Sequence, residues 1–134
     1  MKKLVFIMTL VCYLMPDNDL CAQNEGAPSE IVKYYFVELI TNPDRPELPK
    51  AQVDSIQGAH MANIGRMAQE GTLMLAGPFE NGGGIFILKV ESMAAAEKLV
   101  ARDPAVQAGR LLTEIRPWYT AKGMFAIELK DDTP

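Results

Sequence analysis

Two hydrophobic periodicities alternate along the chain, and their order limits the folds that the sequence can adopt. Short segments rich in β-branched and aromatic residues predict strands, and segments with apolar residues three and four apart predict amphipathic helices. In chain order these segments follow the pattern β-α-β-β-α-β, with one more strand appended. We predict strands over residues 31–40, 73–79, 84–90, 111–116 and 124–129, and helices over residues 53–70 and 93–102.

Single residues with known conformational preferences set the boundaries of these segments. Gly71 is suited to end the first helix, and Ser92 is a good N-cap for the second. Asp103-Pro104 ends the second helix and is suited to begin another short turn, with proline at its first position. We predict that Pro117 stops the fourth strand.

The order of the segments predicts an α+β fold with ferredoxin-like topology. In that arrangement two helices cover one face of an antiparallel sheet. The strands are nevertheless apolar on both faces, as Phe36 between Tyr35 and Val37 illustrates. A second copy of the same sheet would cover the other face, so we predict a homodimer.

The N-terminus has the parts of a secretory signal peptide. Residues 1–3 are a basic start, and residues 4–15 carry no charge. This apolar run is too short to span a bilayer, which takes roughly 20 residues. Cleavage near Ala22 or Gln23 would release a periplasmic or secreted protein without a membrane anchor. The alternatives are a buried N-terminal strand or helix and a lipoprotein signal at Cys21.

The chain is thus divided into one folded domain and short flanking segments, since 134 residues allow a single domain and make two improbable. The predicted parts are a signal peptide over residues 1–23, a linker over 24–30, an α+β domain over 31–130 and a tail over 131–134.

Composition restricts the chemistry that this domain can perform. The net charge of −4 disfavours a nucleic-acid-binding surface, which needs clustered lysine and arginine. Both cysteines, Cys12 and Cys21, would leave with the signal peptide, so we expect no disulfide and no thiolate nucleophile. With His60 as the single histidine, we predict no metal site. Haem ligation by His60 stays an alternative without other support in the sequence.

The predicted topology brings His60 and Asp103 to the same edge of the sheet. His60 lies in the first half of the first helix, and Asp103 follows the second helix. Gly77, Pro78 and Phe79 end the second strand at this edge. A histidine oriented by a carboxylate is the minimal general base near neutral pH. The alternatives are a core histidine bonded to a carbonyl group and an aspartate that only caps the next turn.

Four segments in this order resemble the YCII-related (YciI-like) family. They are Ala-His-Met at 59–61, Gly-Thr-Leu-Met-Leu-Ala-Gly-Pro at 71–78, Asp-Pro-Ala-Val-Gln-Ala-Gly at 103–109 and Ile-Arg-Pro-Trp at 115–118. The likeness covers about residues 31–119. It implies a dimeric ferredoxin-like α/β barrel, similar to muconolactone isomerases. The sequence departs from the family pattern at Gln57-Gly58, where the family often has Arg-Pro. This difference affects the expected substrate more than the expected fold.

The resemblance also implies a site and a chemistry. The family's candidate active site is a His–Asp pair, which corresponds to His60 and Asp103. At least one relative is a dehydrochlorinase of a chlorinated hydroxyquinol, in which the pair serves acid–base chemistry without a cofactor.

We therefore expect an exported, cofactor-independent enzyme of the isomerase or lyase type that acts on a small cyclic or aromatic compound. His60 would be the general base and Asp103 would orient it. The expected substrate contacts are Gly77, Pro78, Phe79 and Trp118. Trp118 fits the core of a dimer equally well. The alternative function is a non-catalytic small-molecule-binding or structural dimer, in which His60 packs in the core and Asp103 is a cap.

Overall fold

The structure is a computed structural model that describes residues 30–124. The described elements are β1 (Ile31–Thr41), α1 (Lys50–Gln69), β2 (Leu73–Pro78), β3 (Gly84–Leu88), α2 (Met93–Val100), α3 (Pro104–Gln107) and β4 (Leu111–Ala121). The predicted signal peptide, nearly all of the linker and the tail lie outside these residues. So does the predicted fifth strand, apart from Met124, which lies in a turn after β4.

The four strands form one antiparallel sheet with the order β2-β3-β1-β4. β1 pairs with β3 on one side and with β4 on the other, and β3 also pairs with β2. The hairpin β2-β3 is local, whereas β1 and β4 meet only because helical connections return the chain to the sheet. This strand order with two helical crossovers is the ferredoxin-like arrangement, so the predicted α+β fold is confirmed.

The hydrophobic core lies between one face of the sheet and the helices. Val37 and Leu39 of β1 point to this face with Leu88 of β3, and all three are at most 4% exposed. Met67 of α1 and Val100 of α2 complete the cluster from the helical side. Complete burial of such a side chain contributes about 1.5–3 kcal/mol. The core therefore holds α1 and the end of α2 at fixed positions over the sheet.

α1 presents the predicted apolar stripe to the sheet, and a buried asparagine joins it. His60, Asn63 and Met67 are its buried residues. The helix begins at Lys50, earlier than predicted, because its first turn is polar and exposed and therefore outside the apolar pattern. Gly71 follows the helix with a φ of 71°, as expected of a helix stop. None of the helices described, α1 included, has the length and apolar character needed to cross a membrane.

β4 continues beyond its predicted end, so the prediction that Pro117 stops the strand is wrong. The strand runs through Pro117, which pairs with Tyr35, and ends at Ala121. β4 lies at the edge of the sheet, where proline is tolerated because its missing N–H can face the side without a neighbouring strand. Trp118 consequently belongs to the strand and not to a following loop.

The sheet face opposite the helices, called the outer face below, keeps apolar side chains in contact with solvent. Leu75, Leu112 and Trp118 are 41%, 47% and 38% exposed. Their cross-strand partners Ile87, Ile40 and Tyr34 share this face, because directly paired residues of an antiparallel sheet point to the same side. Phe36, Glu38, Glu114 and Arg116 also lie on the outer face, between these two β1-β4 pairs.

Candidate active site

Asp103 is completely buried at the junction of α2 and α3, where it caps α3. Its Oδ1 accepts hydrogen bonds from the backbone amides of Ala105, at 2.9 Å, and Val106, at 3.4 Å. Pro104 occupies the first helical position, which needs no N–H donor. The cap explains why a carboxylate can stay in this buried position: the N-terminal amides of α3 supply donors for it.

The same carboxylate also holds His60. The Nδ1 atom of His60 lies 2.8 Å from both Oδ1 and Oδ2 of Asp103. An ionised carboxylate can only accept hydrogen bonds, so Nδ1 carries the proton and Nε2 is the basic nitrogen of the neutral ring. The imidazole also stacks on Phe86, with ring centroids 6.0 Å apart and planes inclined by 22°. Capping by Asp103 and binding of His60 are thus compatible, not alternatives.

The second ring nitrogen of His60 is accessible from a cavity. Every fully buried side-chain nitrogen or oxygen within residues 30–124 has a hydrogen-bond partner. The hydrogen bonds of the His60 ring in this part of the chain all involve Nδ1. Nε2 therefore keeps contact with solvent, and because His60 lines the cavity, that contact is on the cavity side.

Asp103 is charged across the neutral range. Burial alone would raise the pKa of Asp103, but hydrogen bonds from His60, Asn63 and the amide of Ala105, together with the charge of His60, outweigh this effect. The net result is a pKa of Asp103 below its ordinary value. An anion is therefore present behind the imidazole whenever the ring accepts a proton.

Two further residues of α1 brace the carboxylate, and the hydrophobic pattern did not identify them. The Asn63 Nδ2 atom donates to Asp103 Oδ2 at 2.9 Å, and the Arg66 Nη2 atom donates to Asn63 Oδ1 at 2.6 Å. Arg66 is in turn paired with Glu70 at 2.7 Å. The only sequence signal for Asn63 is its spacing, since a polar residue three positions after His60 falls on the buried face of the helix.

The cavity in front of His60 measures about 520 Å³, a size typical of small-molecule sites. It opens between α1 and the sheet, and its walls are mainly apolar. Leu39 and Phe86 line it from the sheet, and Ile56 and Ile64 line it from α1. A base at the wall of an apolar cavity acts on a bound molecule with little competition from water.

Two glycines allow backbone segments to approach each other closely at the rim of this cavity. Gly83 has a φ of 73°, and a Cβ atom there would collide with the carbonyl oxygen of Leu39. A Cβ atom on Gly84 would collide with the carbonyl oxygen of Gly77. The β2-β3 turn is therefore a closely packed wall of the cavity, and glycine is required at both positions.

The predicted substrate contacts are divided between two places. Gly77 and Pro78 line the cavity together with His60. Phe79 lies in the β2-β3 turn, is 47% exposed and does not line the cavity. Trp118 lies on the outer face with its ring 6.3 Å from that of Tyr34, also away from the cavity. The reason is the length of β4: Trp118 follows Leu111, at the cavity end of the strand, by roughly 23 Å at 3.3 Å per residue.

The described residues contain no cluster of three or more histidine, cysteine, aspartate or glutamate side chains that could hold a metal ion. Asp103 and His60 bind each other instead, and both carboxylate oxygens are occupied by donors. What the arrangement can do by itself is move a proton at Nε2.

Comparison with known proteins identifies the family of this chain and agrees with its fold. The model of the YCII-related domain matches residues 35–119, which is more than half of the chain. The chain therefore belongs to the YCII-related family, as the four segments predicted. No curated protein matches it.

A solved structure shares the fold. It is the 5-chloro-2-hydroxyhydroquinone dehydrochlorinase from Burkholderia phenoliruptrix AC1100, in complex with 2,5-dihydroxybenzoquinone. The match has a TM-score of 0.50 and a sequence identity of 20%, and it covers 63% of this chain and 92% of the dehydrochlorinase.

Asp103→Asn is expected to remove a pH-dependent contribution to the free energy of unfolding. Because the pKa of Asp103 is lower in the folded state than its unfolded value of about 3.9, this contribution is present above the unfolded pKa. It is lost as pH falls through the folded pKa. At neutral pH the variant should lose about 1.5–3 kcal/mol, as for one hydrogen bond to a charged group. Urea unfolding at a series of pH values measures both effects.

The matched control for this prediction is Asp54→Asn. Asp54 is also an aspartate, but it is exposed and forms an i,i+4 ion pair with Lys50. It should change the free energy of unfolding by less than about 1 kcal/mol, which is the usual contribution of a surface ion pair. The expected result is contradicted if Asp103→Asn loses no more free energy of unfolding than this control and keeps the pH dependence of the wild type. Asp103 would then not be a stabilising buried carboxylate.

Proposed function

We propose that this protein is a cofactor-independent acid–base enzyme of the isomerase or lyase type, acting on a small cyclic or aromatic compound. The observation that carries the proposal is the arrangement of His60, whose Nδ1 is held by a buried, charged Asp103 while Nε2 reaches an apolar cavity. The fold shared with a dehydrochlorinase named for an aromatic substrate supports the proposed substrate class.

In the proposed reaction His60 accepts a proton through Nε2 from an acidic C–H or O–H group of the bound compound. The electron pair of the broken bond moves into the ring system of the substrate. In a lyase, this pair forms a double bond and a leaving group such as chloride departs with its own bonding pair. In an isomerase, His60 returns the proton to another carbon. Asp103 stabilises the imidazolium in either case, because it accepts the hydrogen bond from Nδ1.

We further propose that two copies associate through the outer face to form a homodimer. The exposed apolar side chains Leu75, Leu112 and Trp118 support this, since burying them is favourable by about 25 cal/mol per Å² of apolar surface. In this arrangement Trp118 contributes to the interface and not to the substrate cavity.

Export to the periplasm or the outside of the cell is also part of the proposal. Its support is the N-terminal pattern alone: a basic start at residues 1–3 followed by an uncharged run at residues 4–15. After cleavage the domain would contain no cysteine. The His60 site would then be unaffected by the redox state of its surroundings.

The catalytic proposal predicts that His60→Gln lowers kcat/KM by about 10²–10⁴, the usual contribution of a general acid–base group. The first substrate to assay is 5-chloro-2-hydroxyhydroquinone, with chloride release measured without added cofactor. Gln52→Ala is a suitable control, because Gln52 is exposed on the first turn of α1, away from the cavity lining.

Equal turnover by wild type and His60→Gln would contradict the proposal. A wild-type protein that binds the compound and does not consume it would favour the non-catalytic binding dimer.

The dimer proposal predicts that Leu112→Lys shifts the protein from dimer to monomer in sedimentation velocity experiments, because a charge would be buried in the apolar interface. Met61→Lys is the matched control, since Met61 is also an exposed hydrophobic residue but lies on α1. A wild-type protein that sediments as a monomer, or a Leu112→Lys variant as dimeric as the control, would contradict the proposed interface.

A further inference from the structure

The cavity that contains His60 also contains two arginines, and it contains no acidic residue. Arg45, from the loop between β1 and α1, and Arg110, directly before β4, both line it. The remaining polar lining residues are Thr41, Gln57 and His60 itself. In a chain with a net charge of −4, this cavity therefore has a positive lining.

Both guanidinium groups have hydrogen-bonding capacity left for a ligand. Arg45 Nη1 donates to the carbonyl oxygen of Asn42 at 3.3 Å, and Arg110 Nη1 donates to that of Pro46 at 3.4 Å. Neither arginine is paired with a carboxylate in the described part of the chain. Each guanidinium has five N–H donors, so most of them remain available.

A network of hydrogen bonds holds the two arginine-bearing segments together. The backbone N–H of Asn42 donates to the carbonyl oxygen of Arg110 at 3.0 Å. The side-chain Nδ2 of Asn42 donates to the carbonyl oxygen of Gly109 at 2.7 Å. The Arg45 amide donates to the Asn42 carbonyl at 3.2 Å. Asn42 thus connects the loop that carries Arg45 with the residues that precede β4, and both arginines are anchored to one part of the cavity rim.

This arrangement has a chemical consequence for the ligand. Guanidinium groups bind carboxylates with paired hydrogen bonds, and they do so more strongly where the surroundings are apolar. A ligand with a carboxylate would give the two positive charges at the cavity rim a counterion, which a neutral ligand of the same shape would not.

We propose that the cavity selects a small cyclic or aromatic acid, whose ionised carboxylate is bound by Arg45 and Arg110 while its ring lies against the apolar walls. This inference rests on the proposed function for the role of His60, because the carboxylate would orient the ring toward Nε2. The selection of an anion itself depends only on the arginines. Arg45 and Arg110 determine specificity, and His60 performs the chemistry.

The test compares benzoate with benzamide, which have nearly the same shape and differ in charge. Ligand-observed NMR titrations of the full chain should give a dissociation constant at least about tenfold lower for benzoate. Arg45→Gln and Arg110→Gln should each reduce this preference several-fold, whereas Arg110→Lys should retain part of it because the charge is kept. Arg116→Gln is the control, since Arg116 lies on the sheet and pairs with Glu38.

Equal affinity for the two compounds, undetectable binding of benzoate, or a preference unchanged in both arginine-to-glutamine variants would overturn the inference. His60→Gln separates it from the proposed function. A preference for benzoate that persists in His60→Gln supports anion selection whether or not His60 is catalytic. Loss of turnover in His60→Gln without any preference for benzoate would overturn anion selection alone.

Discussion

The hydrogen bond between His60 Nδ1 and the Asp103 carboxylate is the contact on which the organisation of the site depends. It joins α1 to the junction of α2 and α3, and it places an anion behind the only histidine of the chain. Asp103 can serve this purpose because its other contacts, with the α3 amides and Asn63, hold it in place without neutralising its charge. One buried carboxylate therefore begins a helix, bridges two helical segments and determines which nitrogen of the imidazole faces the cavity.

Different parts of the fold contribute different chemical groups to the cavity. α1 provides His60, the proposed base, and the sheet provides apolar surface. The segments that precede α1 and β4 provide positive charge through Arg45 and Arg110. Met67 and Val100 pack in the hydrophobic core and hold α1 and α2 in place against the sheet. Residues that contact a ligand can thus vary in loops while the His60–Asp103 geometry stays tied to the core.

Local patterns were sufficient to predict the four strands and the two longer helices that the structure describes, though not all of their ends. They also predicted the approach of His60 to Asp103, because the ferredoxin-like topology follows from the order of the elements. Features that depend on nonlocal pairing were not predictable in this way. Pro117 lies within β4 because that strand is at the edge of the sheet, and strand order is not a local property. The buried position of Asn63 requires the presence of Asp103 beside it. Arg45 and Arg110 reach the cavity through the tertiary hydrogen bonds of Asn42.

The protonation state of the two His60 nitrogens shows whether Asp103 holds the ring through Nδ1 and leaves Nε2 free to accept a proton. Because the chain has one histidine, its imidazole signals in a long-range ¹H–¹⁵N correlation spectrum need no assignment. At a pH where the ring is neutral, we predict a proton on Nδ1 and none on Nε2, and we predict that Asp103→Asn abolishes this preference. A wild-type ring with its proton on Nε2, or one whose tautomer is the same in Asp103→Asn, would contradict the role of Asp103 in orienting His60.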